Sequence, residues 1–162
     1  MRIGEINKLT VKRISDIAYV LETKEKEEIF LHKKEANGNF DVGETVYAFL
    51  YYDSYGRIAA STAEPKITVS KPAFLRVVSV DENLGFFLDD GMPKDLLLSM
   101  KDFPYPIDYA PQKGDFLFVR IEEGKTNFRT KLLPKEAFLE FMHPSGIKNV
   151  RDWVKAYVVN IT

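Results

Sequence analysis

At 162 residues, with 45% hydrophobic and 29% charged side chains, the chain suits one ordinary domain or two small ones and is too apolar to be disordered. Its 23 basic and 24 acidic residues leave a net charge of −1, which excludes binding of nucleic acid by bulk charge; a site for it needs a local patch and stacking. The absence of cysteine excludes disulfides, zinc ribbons, thiol catalysis and iron–sulfur clusters, and two histidines, His32 and His143, are too few for a multi-histidine metal centre.

The opening MRIGEINKLTVKR has no apolar h-region, so it does not read as a signal peptide. No apolar run approaches the ~20 residues of a membrane helix. The expectation is a soluble cytoplasmic protein with no membrane partner.

The first elements read as short strands. Ile6–Arg13 places apolar residues among polar ones, as in a half-buried strand. Ala18–Glu22 and Ile29–His32 follow, separated by the charged run Thr23–Glu28. Asn37, Gly38 and Asn39 mark a loop, and Asp41 to Glu44 lead into a long strand, Thr45–Tyr52. Both faces of that strand are apolar, which suggests a central barrel strand. Asp53 to Gly56 form a hairpin turn, and Arg57–Thr62 returns as a fifth strand. Three strands, a long loop, a strand, a hairpin and a last strand give the order of a five-stranded Greek-key barrel, the OB-fold.

The pattern then repeats. Ala18–Leu21 matches Gly85–Leu88, and Glu28–His32 matches Asp95–Ser99, both 67 positions on. Gly43 meets Gly114 at 71, and the extra residues fall near Pro104–Tyr105–Pro106, as loop insertions should. The second set of strands is Ala73–Val80, Phe86–Leu88, Asp95–Leu98, Asp115–Ile121 and Asn127–Lys131. The fold class expected is therefore mainly β. It comprises an OB barrel over 1–67, a second over 68–131, and an extension over 132–162. Pro134–Met142 predicts a short helix. Residues 150–162 fit either a helical stripe or a strand, with strand favoured as the start of a third unit cut short. On that reading the chain is an N-terminal fragment of a longer protein.

Catalytic and nucleotide motifs are absent: there is no P-loop, no dinucleotide fingerprint and no H-E-x-x-H. The acidic pairs Asp81–Glu82, Asp89–Asp90 and Glu122–Glu123 read as solvated turns rather than metal ligands. No cofactor and no enzymatic activity are expected.

Gly43–Glu44 and Gly114–Asp115 before each fourth strand, with Asp53-x-x-x-Arg57 at the hairpin, resemble the S1-type RNA-binding domain. Gly4-Glu-Ile-Asn7-x-Leu9, Arg13-x-x-Asp16 and Gly91-Met-Pro93-Lys-Asp95 resemble the conserved virulence factor B family, over roughly residues 1–131. That resemblance implies tandem S1-like units that bind RNA. The S1 binding face uses two aromatics on the second strand, a histidine ending the third, and an Asp/Arg pair near the fifth. His32, Asp53 and Arg57 fall on those positions in the first unit, where Ile17 and Val20 take the aromatic positions and Tyr19 is the nearest aromatic. In the second unit Phe87 matches an aromatic, while Leu84, Ser99 and Asn127 replace the other aromatic, the histidine and the arginine.

The resulting candidate set is Tyr19, His32, Lys33, Lys34, Asp53, Tyr55, Arg57 and Phe87. Aromatic plates suit single-stranded RNA because every base offers a π-face, and Lys or Arg meets the phosphates. Tyr51, Tyr52 and Tyr55 beside Arg57 are the surface aromatics expected from sequence alone. OB cores also use Phe and Tyr, and His32 and Asp53 equally suit a plain strand end and a turn. The expected function is non-catalytic binding of single-stranded RNA, with post-transcriptional regulation as its context. The alternative is a structural tandem OB protein that docks the ribosome or another protein.

Overall fold

The computed structural model describes residues 1–134 together with 136 and 137. The expected helix over 134–142 and the expected strand over 150–162 lie almost wholly outside those residues. Ten strands account for the described chain, each within about two residues of its expected place. They are β1 (Ile6–Ile14), β2 (Ala18–Glu22), β3 (Glu28–His32), β4 (Thr45–Tyr52), β5 (Ile58–Ser61), β6 (Ala73–Asp81), β7 (Gly85–Leu88), β8 (Leu96–Ser99), β9 (Phe116–Glu123) and β10 (Phe128–Leu132). Among the described residues no helix is long and apolar enough to cross a membrane.

Strands β1–β5 close a barrel in the order β1-β2-β3-β5-β4. Closure comes from the parallel pairing of Phe30 with Ala59 and Leu31 with Ala60. Alternation then fixes the inside: Leu9, Val11, Tyr19, Leu21, Ile29, Leu31, Val46, Ala48, Leu50 and Ala60 form one buried cluster. The second set runs β10-β9-β6-β7-β8, the same cyclic order, but no ladder joins β8 to β10. Its core of Leu75, Val77, Phe86, Leu88, Leu96, Leu98, Val119 and Ile121 is equally dry. The second unit is thus an OB barrel left open at one seam.

The repeat extends to single hydrogen bonds. Val11 N–H donates to Glu44 O and accepts Gly43 N–H on its carbonyl, and Val77 does the same with Asp115 and Gly114. Both first strands bulge there, between Val11 and Arg13 and between Val77 and Ser79. The sequence matches Val11 with Val78, 67 positions on, but the bulges pair Val11 with Val77, 66 positions on, and 67 holds over the second and third strands. A one-residue slip moves a strand's side chains to the opposite face, so the correction matters.

The two barrels lie within one compact unit, Met1–Leu132. Phe49, Tyr51 and Met92 are buried together, with Ala59, Ala63 and Phe128 packed on them. The Phe128 ring meets Tyr52 edge-on at 5.4 Å and lies 6.4 Å from Phe49. Tyr52 O–H donates to Gly124 O at 2.8 Å, and Ser70 N–H donates to a Glu5 carboxylate oxygen at 2.6 Å. Gly4, at φ +81°, has no room for a Cβ between Val69 and Phe128. These contacts explain why β4 is apolar on both faces. Its inner face fills the barrel, and Phe49 and Tyr51 on its outer face are covered by the other barrel, while Tyr47 stays exposed.

Candidate nucleic-acid interface

Cross-strand pairing defines the outer face of the first barrel. Val20 sits opposite Phe30, Phe30 opposite Ala59, and Ala59 opposite Tyr51; the next row places Ala18 opposite His32. Phe30 is 54% exposed and stands two residues from His32 on the same side of β3. Phe30 is not among the expected site residues, although alternation in Glu28–His32 turns Ile29 and Leu31 inward and Phe30 outward.

His32 is exposed at the end of β3, where its Nδ1 accepts the Lys34 N–H at 3.2 Å and caps the short 3-10 turn Lys33–Glu35. Neutral His32 therefore carries its proton on Nε2. Ser99 occupies the same place in the second barrel, and its Oγ accepts Lys101 N–H at 3.3 Å to cap Met100–Asp102. A cap is thus what His32 and Ser99 share. Lys33 and Lys34 are exposed beside it.

The β4–β5 hairpin carries the next group. Asp53 Oδ1 accepts the backbone N–H of Tyr55 at 2.8 Å and of Arg57 at 2.9 Å, and its Oδ2 accepts Arg57 Nε–H at 2.8 Å. Partial burial pushes the Asp53 carboxyl up, but these hydrogen bonds and the Arg57 charge outweigh it and hold the group below its ordinary value. The Arg57 guanidinium lies 4.9 Å from the centroid of the Tyr55 ring, and Tyr55 is 83% exposed. Gly56, at φ +75°, brings the hairpin against Thr126 of the β9–β10 turn.

Three expected stacking residues are placed otherwise. Tyr19 is buried in the first core, edge-on to Phe40 at 5.4 Å, because β2 turns it inward with Leu21. Lys33 Nζ lies over its ring, 5.8 Å from the centroid. Tyr51 and Tyr52 are also buried, by the second barrel rather than by their own core. Tyr19 is withdrawn from the candidate set, and Phe30 takes its place. Phe87 is half-buried on β7, away from the first face, and lines a cleft of about 590 Å³.

That cleft opens along the seam between β8 and β10 and is bounded by Tyr51 and Tyr52. Lys94, Arg129 and Lys131 line it, as do Asp90, Asp95 and Asp102. Lys131 pairs with Asp102 at 3.7 Å, and Lys94 Nζ donates weakly to Asp53 O at 3.5 Å, tying the cleft to the hairpin. Among the described residues no group of three or more His, Asp or Glu is arranged to hold a metal.

The fold and these two surfaces define a tandem S1-like protein of the OB class. Residues 3–63 match the model of the S1 domain, and residues 73–129 match that of the CvfB first S1-like domain. The chain is similar to the conserved virulence factor B proteins. It is 29% identical to conserved virulence factor B of Staphylococcus aureus (strain USA300) over 163 residues, covering 97% of this chain and 54% of that protein. It is 31% identical to YitL of Bacillus subtilis (strain 168) over 137 residues, covering 85% of this chain and 45% of YitL. A solved multidomain protein with nucleic acid binding domains from Streptococcus pneumoniae matches with a TM-score of 0.74 at 28% identity, over 88% of this chain and 50% of that one. The chain spans about half the length of the curated relatives it matches.

Proposed function

We propose that this chain is a non-catalytic module that binds single-stranded RNA, chiefly on the outer face of the first barrel, within post-transcriptional regulation. The observation that carries it is the exposure of Phe30 and His32 on β3 together with the exposed Tyr55–Arg57 pair on the hairpin leading into β5, the strand beside β3. Phe30 and Tyr55 offer rings to bases. Arg57, Lys33 and Lys34 offer charge to phosphates, and His32 Nε2–H offers a donor to a phosphate or a 2′-hydroxyl. The matches to S1-like domains and the nucleic acid binding domains of the pneumococcal protein support the reading.

The test is a titration with single-stranded RNA at several salt concentrations. Arg57→Ala should weaken binding and reduce the salt slope by about one, as expected for one lost phosphate contact. Phe30→Ala should cost about 1–3 kcal/mol and leave the slope unchanged. The second reading, a protein-docking tandem OB unit, draws on Asp53, which already engages the Arg57 guanidinium at 2.8 Å. Wild-type affinity in both variants would favour it.

A further inference from the structure

The two connections between a fourth and a fifth strand have diverged. In the first barrel residues 53–57 join β4 to β5 and carry the Asp53, Tyr55 and Arg57 group. In the second, residues 124–127 join β9 to β10, and Asn127 stands at the arginine position. That second turn is tightly closed. Gly124 N–H donates to Asn127 O at 2.9 Å, and the same oxygen leaves no room for a Cβ on Gly124. It is also pressed against the first turn. A Cβ on Gly56 would stand 2.8 Å from Thr126 Cβ and 3.3 Å from its methyl carbon, so only glycine lets the two turns approach. Gly124 O accepts the hydroxyl of Tyr52, the residue before Asp53, at 2.8 Å. Lys94 Nζ, also from the second barrel, donates weakly to Asp53 O at 3.5 Å. Asp53 thus fastens the hairpin from within, and Thr126, Gly124 and Lys94 fasten it to the second barrel.

We propose that the turn over residues 124–127 positions the Tyr55–Arg57 hairpin for RNA, with Thr126 as the positioning residue, so that the second barrel sets affinity at the first without touching the strand there. The inference rests on the RNA-binding reading above and adds what governs that site. Tyr55 is 83% exposed, so the hairpin tip has little packing of its own. Ordering a loose tyrosine and arginine on binding costs affinity, and a turn already braced by folding avoids that cost. Thr126 is itself exposed, so its Cβ and methyl serve the contact with Gly56 rather than a core. The same place in the chain binds in one barrel and braces in the other, which fits the asparagine at the arginine position.

Affinity for one single-stranded oligoribonucleotide is measured at fixed salt for the intact chain, for Thr126→Gly and Thr126→Val, and for Tyr55→Ala/Arg57→Ala with and without Thr126→Gly. Urea unfolding of each variant reports its folding. Thr126→Gly removes the contacting carbons and should weaken binding by about three- to tenfold, the effect of one or two side chains left for RNA to order, with unfolding little changed. Thr126→Val keeps the Cβ and the methyl and should bind as the wild type does. In the Tyr55→Ala/Arg57→Ala background Thr126→Gly should have no further effect, whereas a threonine that touched RNA itself would add its own loss. Wild-type affinity in Thr126→Gly, or equal losses with and without the hairpin side chains, would overturn the positioning role and leave the first-barrel reading standing. If Thr126→Gly fails to fold, Tyr52→Phe, which removes the hydrogen bond to Gly124 O, takes its place in the same comparison. Wild-type affinity in Tyr55→Ala/Arg57→Ala would overturn both.

Discussion

Replacing Asp90 by asparagine should stabilise the protein at neutral pH. The carboxyl is 4% exposed and lies near Asp89 and Asp95, and burial first, then those like charges, lift it from 3.8 to about 6. Between those pH values the folded protein holds a proton that the unfolded chain has released. Stability therefore falls as pH rises through this window and levels off above about 6. A shift of roughly two units at 1.36 kcal/mol each makes the loss about 3 kcal/mol. Asparagine retains the acceptor for Met92 N–H and carries no charge to bury. The variant should thus gain about 3 kcal/mol at pH 8 and well under 1 kcal/mol at pH 4. Asp53, held low by Arg57, and Asp89, held low by Lys66, act in the opposite direction, but they are common to both proteins and cancel in the difference. Urea unfolding of both proteins at pH 4 and pH 8 measures it. An equal gain at both pH values, or a loss at pH 8, would refute the reasoning.

Three further substitutions probe the frame. Phe128→Ala removes a ring shared by the second core and the inter-barrel contact, and should destabilise by about 2–4 kcal/mol in urea unfolding. Gly56→Ala forces a Cβ onto Thr126 at a positive φ; a loss of roughly 1–3 kcal/mol is expected, with weaker RNA binding because the Tyr55–Arg57 hairpin shifts. Thr130→Val deletes the unpartnered buried hydroxyl and should raise stability by about 1 kcal/mol in urea unfolding.

Much of this fold was legible because strand alternation is local. Ile29 and Leu31 inward, with Phe30 and His32 outward, follows from five consecutive residues. The repeat was legible for the same reason, since each unit carries its own turns, as the shared bulges and Gly43/Gly114 bonds confirm. Contacts between distant residues were not. The apolar outer face of β4 reads as a central strand, but what covers it is Met92 and Phe128, more than forty positions away. Tyr51 and Tyr52 were misplaced on that account, and Tyr19 because an aromatic one place out of register still faces inward. The cleft was hidden too. Nothing in Leu96–Ser99 or Phe128–Leu132 announces that β8 and β10 stay unpaired.

The central claim is that stacking and local charge, not bulk field, hold a single strand. It is tested most directly by fluorescence anisotropy with one labelled RNA, single-stranded and as its duplex, at 50 mM and 200 mM salt. The single strand should bind at both salts with a modest slope, because few phosphates are engaged, and the duplex, whose bases are already stacked, should bind much more weakly. Equal affinity for both forms, or no binding of the single strand at 50 mM salt, would contradict it.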